Sequence, residues 1–364
     1  MATVGNGGND RLKFGALEVG RAVAAGLVVF HHAGSIAQQP RFFDAVPFGY
    51  HLGNFNVGVD FFFVLSGFII AWVHWNDIGE PARVPRYALK RFLRIYPPYW
   101  AVLLPLTALY VAFPQGGIPS QRDPVNIAMS ALLLPYPVPP VLGVAWTLVH
   151  EIFFYAVFAA IIAAGRKALL LLPIWFAAIV AASLLQVETF PLTFFFNPFN
   201  MEFILGVGVA VMLRHRSVPA PLLLATVGVV IFVATMLFAT TVQDHPLVGR
   251  LAFGLPAAMF VAGCVELERR RPRRLPAVLA LLGAASYVIY LVHPIALSFG
   301  AQALTRLPTR DLPVDIAVLL LGLIGIGAGV LFHVVVERRI ASALKSLTST
   351  RGKAPDEARA TGRA

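Results

Sequence analysis

The segment GRAVAAGLVVFHHAG, residues 20–34, decides the class of fold, because it is apolar enough to cross a membrane and yet carries ionisable side chains. Arg21 opens the apolar run, and His31 and His32 close it. A charged side chain inside a bilayer costs about 2.5–3.5 kcal/mol even on the mildest insertion scales, so it is expected to face the protein interior and to serve a function. The segment therefore predicts a membrane helix with one polar, inward-facing side.

The composition of the 364-residue chain agrees with this prediction. Hydrophobic residues make up 58% of the sequence, charged residues make up 13%, and the mean hydropathy is +0.76. These values exclude an ordinary soluble domain. The single cysteine, Cys264, excludes an intramolecular disulfide and a cysteine-based metal site, and we expect no metal cofactor.

Apolar runs of about 18 residues or more, long enough to cross the hydrocarbon core, recur along the chain. They predict an all-α polytopic membrane protein with about ten transmembrane helices around a polar central cavity. The predicted spans are 13–35, 55–75, 90–113, 143–165, 168–186, 195–213, 219–241, 247–266, 276–301 and 313–336. The segment 125–134, in a proline-rich connection, is too short to span, and we interpret it as re-entrant or interfacial.

The basic residues test the number of spans, because lysine and arginine gather in the cytoplasmic connections of membrane proteins. Most of the 29 lysines and arginines fall in every second connection, which predicts cytoplasmic amino and carboxyl termini. The arginines left for the outer connections are Arg41, Arg122, Arg250, Arg306 and Arg310. The formal net charge of +11 then reflects the membrane topology, and it also gives the protein some attraction for anionic lipid or ligand. A nucleic-acid partner is excluded.

We divide the chain into a cytoplasmic segment 1–12, a membrane domain 13–340 and a disordered cytoplasmic tail 341–364, which lacks a clear apolar pattern. A cleaved signal peptide is an alternative interpretation of the first span, because Ser35, Ile36 and Ala37 resemble a cleavage site. Arg21 would interrupt the apolar region of such a signal, so we interpret the segment as a retained span.

Arg21 and His32 are eleven residues apart, so they share one face of a helix at a separation of about 16 Å. Glu18 precedes Arg21 by three residues and is expected to pair with it. Spans further along the chain carry ionisable residues of their own, namely Asp60, Glu151, Glu202 and His293. We expect these residues to line one cavity. The alternative is that Arg21 and the histidines lie at the two membrane interfaces.

A basic segment, RYALKRFLRIYPPYW, begins the third span. Arg86, Lys90 and Arg94 are four residues apart and share one helix face, and Arg91 follows Lys90. Arginine binds phosphate with paired hydrogen bonds, so the segment predicts a phosphate site at the cytoplasmic end of the span. An ordinary positive-inside anchor is the alternative.

Together these motifs resemble the acyltransferase 3 family of integral-membrane O-acyltransferases, which modify bacterial surface and exported polysaccharides. The resemblance covers residues 15–340 or so. It rests on Arg21 with His32, on GVDFFFVLSGFII, RFLRIYPPYW, AWTLVHEIFFY and SYVIYLVHP, with Thr147 at the usual serine and Glu18 where many members have aspartate. The stretch LEVGRAVAAGLVVFHH is most similar to members attached to exopolysaccharide production.

The resemblance implies transfer of an acyl group, usually acetyl, from acetyl-coenzyme A to a sugar hydroxyl in the bacterial inner membrane. His32 is then the general base or a covalent acyl carrier, and Glu151 or Asp60 orients it. Arg21 holds an anionic part of the donor or stabilises the oxyanion. Coenzyme A phosphates are expected at Arg86, Lys90, Arg91 and Arg94. Residues expected to bind substrate or support these groups are Glu18, His31, Ser66, Trp146, Glu202, Tyr287 and His293.

The expected partners are the lipid bilayer and a polysaccharide or lipid-linked oligosaccharide acceptor. The sequence leaves open the acceptor sugar, the acyl chain, the membrane face of transfer and whether the chain forms a homo-oligomer. A transporter or flippase of a lipid-linked sugar is the alternative function, because a charged interior suits it too. Such transporters commonly show related halves with interrupted spans, and the sequence shows none.

Overall fold

The computed structural model describes residues 14–238, 242, 245–272, 275–306 and 312–350. These residues form helices joined by turns and irregular connections, and they contain no β-strand. Ten helical segments of the described chain are long and apolar enough to cross a membrane. The predicted all-α, multi-pass membrane fold is therefore confirmed, and so is the number of spans.

The α-helices of the described residues are α1 (Gly15–Ala37), α2 (Gly58–Val73), α3 (Val84–Ala112), α4 (Pro124–Leu132), α5 (Trp146–Ala164), α6 (Leu171–Leu184), α7 (Leu192–Phe195), α8 (Phe199–His215), α9 (Pro221–Phe238), α10 (Pro246–Arg270), α11 (Ala277–Arg306), α12 (Val314–Phe332) and α13 (Arg338–Thr350). A turn of π-helix, His333–Glu337, joins α12 to α13. A 3₁₀ segment, Pro47–Val57, leads into α2.

Two segments with uncertain predictions are helical but do not add spans. α4 has 9 residues, too few to cross the bilayer, as predicted for 125–134. α13 covers the start of the predicted tail 341–364, and the assignment of that tail as disordered and cytoplasmic stays a prediction. Residues 351–364, like the predicted cytoplasmic segment 1–12, lie outside the described residues.

Two groups of helices pack around α1 and α2. α2 packs on α8 and α10, α9 packs on α10, and α1 packs on α11 and α12. α1 also contacts α2 and α10 and so joins the groups, while α3 and α5 contact each other and reach α11 and α2 respectively. The first span is therefore an integral part of the bundle, and the space between α1, α2, α3, α5 and α11 is enclosed by protein.

The contact between α2 and α8 depends on two glycines. A Cβ atom at Gly67 would overlap the carbonyl oxygen of Phe203, and one at Gly206 would overlap the carbonyl oxygen of Val64. Small residues allow two helix backbones to approach this closely in membranes, where packing drives helix association. These glycines fix α2 against α8 and thereby fix which side of α2 faces the enclosed space.

Helix ends gather at two ends of the bundle. At what we call the basic end, the Glu268 carboxylate near the end of α10 accepts hydrogen bonds of 2.6 Å from the first backbone amides of α1, Gly15 and Ala16. There too, Arg214 at the end of α8 donates to the Trp72 carbonyl of α2. At the opposite, far end, the Phe48 amide donates to Asp315 before α12. Alternate connections therefore meet at the same end, as the distribution of basic residues predicts.

Arg250 departs from its predicted location. It was counted with an outer connection although it falls at the start of the predicted span 247–266, and it lies in the second turn of α10. Its side chain is 9% exposed and faces Asp60 of α2. A basic side chain near a span end joins the bundle interior when an acid on a neighbouring helix can neutralise it.

Candidate active site

A cavity of about 410 Å³ occupies the space between α1, α2, α3, α5 and α11. Its polar lining residues are Glu18, Arg21, Ser66, Arg91, Arg94, Thr147, Glu151, Tyr155, Ser286, Tyr287 and Tyr290. Five separate segments of the sequence contribute to this lining. Arg94 lines the cavity and is exposed, so the cavity opens beside Arg94, in the half of α3 nearer the basic end.

The ionisable side chains of the lining leave an excess of positive charge. Arg21 Nη1 lies 3.5 Å from Glu18 Oε1, so the predicted pairing of these residues is confirmed. Glu151 is the other acid of the lining, and Arg91 and Arg94 are its other bases. Three guanidinium groups face two carboxylates in a half-buried space, and this arrangement suits an anionic ligand.

Glu151 links α5 to α2. Its Oε1 accepts a hydrogen bond of 2.5 Å from the Tyr155 hydroxyl and one of 3.3 Å from the Ser66 hydroxyl. Tyr155 follows Glu151 by four residues on the same helix face. Glu151 is thereby held at the cavity wall, away from any bond to His32.

Arg91 is held at the cavity wall by contacts of its own. Its Nη2 lies 2.8 Å from His74 Nε2, and its guanidinium carbon lies 5.7 Å from the ring centre of Tyr87 and 5.5 Å from that of Tyr155. Arg91 Nε is buried and has no hydrogen-bond partner in the described part of the chain. A buried donor without a partner is costly, so this N–H is suited to an acceptor oxygen of a bound ligand.

The three predicted histidines form a cluster beyond the far limit of the cavity. The rings of His32 and His293 have centres 5.0 Å apart, and so have those of His31 and His32. His32 Nδ1 lies 2.9 Å from the Val28 carbonyl oxygen and 3.3 Å from His293 Nε2. Since a carbonyl only accepts, Nδ1 of neutral His32 carries the proton and Nε2 offers a free lone pair.

The predicted carboxylate partner of His32 is therefore corrected. Among the described residues, the Val28 carbonyl and His293 are the groups bonded to His32, and neither Glu151 nor Asp60 is. His293 is itself oriented by the Ile289 carbonyl at 3.1 Å. The one-turn spacing of both bonds explains the difference, because a histidine can bond the carbonyl four residues before it without help from another helix.

Tyr290 separates the cavity from the histidine cluster. Its hydroxyl donates to the Val144 carbonyl at 3.0 Å and lies 3.0 Å from the Thr147 hydroxyl, and its ring centre is 5.8 Å from that of His293. Thr147 thus supplies the hydroxyl expected from serine in this motif. Neither Thr147 nor Tyr290 was predicted as a site residue, although Tyr290 precedes His293 by one helical turn.

Asp60 and Glu202 were predicted in the same cavity, but they form a second buried cluster. Arg250 Nη1 donates to Asp60 Oδ1 at 2.6 Å, and Glu202 lies beside Asp60. Both acids are fully buried. The cavity-lining residues of α2 lie near Val59 and Phe62, and a step of about 100° per residue turns Asp60 toward α8 and α10 instead. These two predictions are corrected.

Most of the remaining predicted residues lie outside the cavity lining. Arg86 and Lys90 are exposed and, unlike Arg91 and Arg94, do not line the cavity. Trp146 lines a separate cavity of about 350 Å³ beneath the proline-rich connection 134–143. His31 Nδ1 lies 3.2 Å from the Leu52 carbonyl oxygen. Tyr287 does line the cavity and donates to the Ile95 carbonyl at 2.9 Å.

Comparisons with known proteins identify the family of the chain. Residues 14–338 match the acyltransferase 3 family, described as an acyltransferase domain. The chain is 30% identical to the exopolysaccharide production protein ExoZ of Rhizobium meliloti (strain 1021), over 70% of this chain and 80% of that protein. It is 26% identical to the acyltransferase MdmB of Streptomyces mycarofaciens, over 76% of this chain and 77% of that protein.

The comparison with solved structures returns no match. The match over residues 14–338 covers most of the chain, and it includes every residue of the cavity and of the histidine cluster. The chain therefore belongs to the acyltransferase 3 family and is a multi-pass membrane O-acyltransferase.

Proposed function

We propose that this enzyme moves an acetyl group from acetyl-coenzyme A, bound from the cytoplasm, to a hydroxyl of an exported polysaccharide or its lipid-linked precursor. The observation that carries the proposal is the cavity of Arg21, Arg91 and Arg94, which opens at the basic end and points toward His32. The acceptor class is suggested by ExoZ, whose name states a role in exopolysaccharide production. A transporter of lipid-linked sugars is disfavoured by the family to which the chain belongs.

The arginines near the basic end are suited to binding coenzyme A. Coenzyme A carries phosphates at one end of a long flexible arm and the thioester at the other. Arg91 and Arg94 are one helical turn apart at the opening, where paired guanidinium hydrogen bonds would hold phosphate oxygens. The arm would then extend through the cavity, past Glu151 and Tyr287, toward Tyr290.

The proposed role of Arg21 follows from its distance to the base. Arg21 and His32 are eleven residues apart in α1, which corresponds to about 16 Å along the helix. An oxyanion formed beside His32 must lie about 3 Å from the group that stabilises it. Arg21 is too far away for that role, so we assign it to an anionic part of the donor.

His32 is the proposed general base. Its Nε2 takes the proton of the acceptor hydroxyl, whose oxygen attacks the thioester carbonyl carbon; the C–S bond breaks and the departing sulfur receives the proton. The same lone pair would suit the second route, in which Nε2 itself accepts the acyl group and passes it to the hydroxyl. An acyl group trapped on His32 when no acceptor is present would favour the second route.

We also propose that the protein lies in the bacterial inner membrane with both termini in the cytoplasm. The concentration of lysine and arginine in alternate connections supports this orientation. In this orientation the basic end faces the cytoplasm, where acetyl-coenzyme A is available, and the histidine cluster lies toward the outer half of the bilayer.

Labelled acetyl-coenzyme A tests the function and the orientation together. The donor does not cross membranes, so inside-out vesicles carrying the enzyme and its acceptor should incorporate label into glycan, and sealed right-side-out vesicles should not. Vesicles carrying His32→Gln serve as the control for background acylation. Label that enters glycan only in right-side-out vesicles would overturn the proposed orientation, and absence of glycan label in both would overturn the proposed donor and acceptor.

Replacing Arg94 by glutamine is expected to raise the KM for acetyl-coenzyme A about tenfold or more while kcat stays within about twofold. A hydrogen bond to a charged group contributes about 1.5–3 kcal/mol, and 1.4 kcal/mol corresponds to about tenfold in affinity. The KM for acetyl-N-acetylcysteamine, a thioester without phosphates, should not change. Steady-state kinetics with both donors makes the measurement.

The matched control for this prediction is Arg216→Gln, which removes one exposed guanidinium at the same end of the bundle without touching the cavity. Equal changes in KM for the two donors in the Arg94 variant would contradict a phosphate site there.

A further inference from the structure

We propose that His74 and Asp77, in the turn after α2, are positioning residues that hold Arg91 ready for the phosphates of the acyl donor. The inference rests on the proposed function, and it adds two residues that the sequence analysis did not single out. Asp77 lies in the short connection after α2, and His74 lies at the end of the predicted span 55–75.

Four side chains form a continuous hydrogen-bonded chain at the basic end. Arg83 Nη1 donates to Asp77 Oδ1 at 2.6 Å, and Asp77 Oδ2 lies 2.7 Å from His74 Nδ1. His74 Nε2 lies 2.8 Å from Arg91 Nη2. This hydrogen-bonded series runs from an exposed arginine through an acid and an imidazole to Arg91 at the cavity wall.

The bonding partners fix the protonation of His74. A guanidinium has donors only, so His74 Nε2 must be the acceptor and carries no proton. Nδ1 therefore carries the proton and donates it to the Asp77 carboxylate. His74 is neutral in this arrangement, and it is 3% exposed, so the bond to Arg91 is shielded from water.

The consequence for Arg91 is a fixed guanidinium plane. His74 holds Nη2, the rings of Tyr87 and Tyr155 pack beside the guanidinium, and Nε remains buried without a partner in the described part of the chain. Holding a side chain in its binding geometry reduces the ordering cost of binding. Positioned in this way, Arg91 can offer its remaining N–H groups to an anion that enters from the opening beside Arg94.

The arrangement predicts that the affinity for the acyl donor depends on pH. Burial lowers the pKa of His74 below its ordinary value, and the hydrogen bond to Asp77 opposes this effect. Partial burial favours the neutral acid at Asp77, but hydrogen bonds from His74 and Arg83 keep the pKa of Asp77 below its ordinary value. The titratable and charged groups around His74 are Asp77 and Arg83 from the turn and Tyr87, Lys90 and Arg91 from α3.

His74 is thus neutral at neutral pH and gains a proton only when the pH falls through its lowered pKa. The protonated ring would direct an N–H at a guanidinium, so the bond to Arg91 would break and the two positive charges would repel each other. Donor affinity should therefore be constant above about pH 6.5, the ordinary histidine pKa, and fall at lower pH.

The test compares His74→Leu, which removes the acceptor, with His74→Gln, whose amide oxygen can accept from Arg91 but does not titrate. In His74→Leu the KM for acetyl-coenzyme A should rise about tenfold with kcat within about twofold, since a bond to a charged group is lost. In His74→Gln the KM should stay within about threefold of the wild type, and its rise at low pH should disappear. The KM for acetyl-N-acetylcysteamine should not change in either variant.

The matched control is His215→Gln, because His215 is an exposed histidine at the same end that packs on the Trp75 ring. It should keep the wild-type pH profile. A low-pH rise in KM that persists in His74→Gln would overturn the inference even if His74→Leu fails to fold, and so would an unchanged KM in a folded His74→Leu protein. A wild-type chain that does not use acetyl-coenzyme A would overturn the proposed function and this inference with it.

Discussion

Replacing His32 by glutamine is expected to lower kcat about 10²–10⁴-fold, the usual contribution of a general base. The glutamine amide can still donate to the Val28 carbonyl, but it has no basic nitrogen to take the hydroxyl proton. The KM for acetyl-coenzyme A should change less than about twofold, because the donor phosphates are bound at the basic end. Initial rates of acetyl transfer, measured with purified enzyme in detergent or vesicles, give both constants.

The control for this variant is His245→Gln, an exposed histidine immediately before α10. It should retain wild-type kinetics. A folded His32→Gln protein with wild-type kcat would remove His32 from the chemistry. Single-turnover experiments with labelled donor then separate the two routes: no label should remain on either protein if His32 is a base, and wild-type enzyme alone should hold label if His32 carries the acyl group.

Replacing Arg250 by glutamine is expected to lower the free energy of unfolding by about 3–5 kcal/mol. This is the usual effect of removing one partner of a buried ion pair. Arg250 Nη1 bonds Asp60 at 2.6 Å, and Glu202 lies beside that acid, so the change leaves a buried pair of acids without a countercharge. The guanidinium also lies 4.3 Å from the Phe199 ring centre and loses that contact. Thermal and denaturant unfolding in detergent measure the loss.

The triple variant Asp60→Asn, Glu202→Gln and Arg250→Gln separates charge from packing. It shares the Arg250→Gln change with the single variant, keeps the size of the two acids and removes every formal charge of the cluster, so it should recover most of the stability lost through uncompensated charge. A triple variant as unstable as Arg250→Gln alone would show that packing, and not uncompensated charge, holds α2, α8 and α10 together.

The sequence predicted the spans well because crossing a bilayer is a local requirement. A helix must be long and apolar wherever it crosses, so each of the ten segments is visible without knowledge of its neighbours. The pairing of Arg21 with Glu18 was predicted for the same reason, since residues three apart on a helix always share a face.

The same reasoning failed for Asp60 and Glu202. An ionisable residue in a span is expected to face the protein interior, but the sequence does not say which of the other helices it faces. In the described part of the chain, the cavity and the Asp60 cluster are separate polar interiors. α2 contributes Ser66 to the first and Asp60 to the second, on different sides of one helix. Because Arg250 had been counted with a connection, the sequence analysis did not identify it as the partner of Asp60.

The sequence by itself determined that the chain is a membrane helix bundle and where Arg21 and His32 lie relative to each other along one helix, because both depend on helix length and periodicity. Only the tertiary structure decided that His32 is oriented by Val28 and His293, that Asp60 pairs with Arg250, and that His74 holds Arg91. These contacts join residues whose separation in the chain bears no relation to their distance in space, and helix packing alone brings them together.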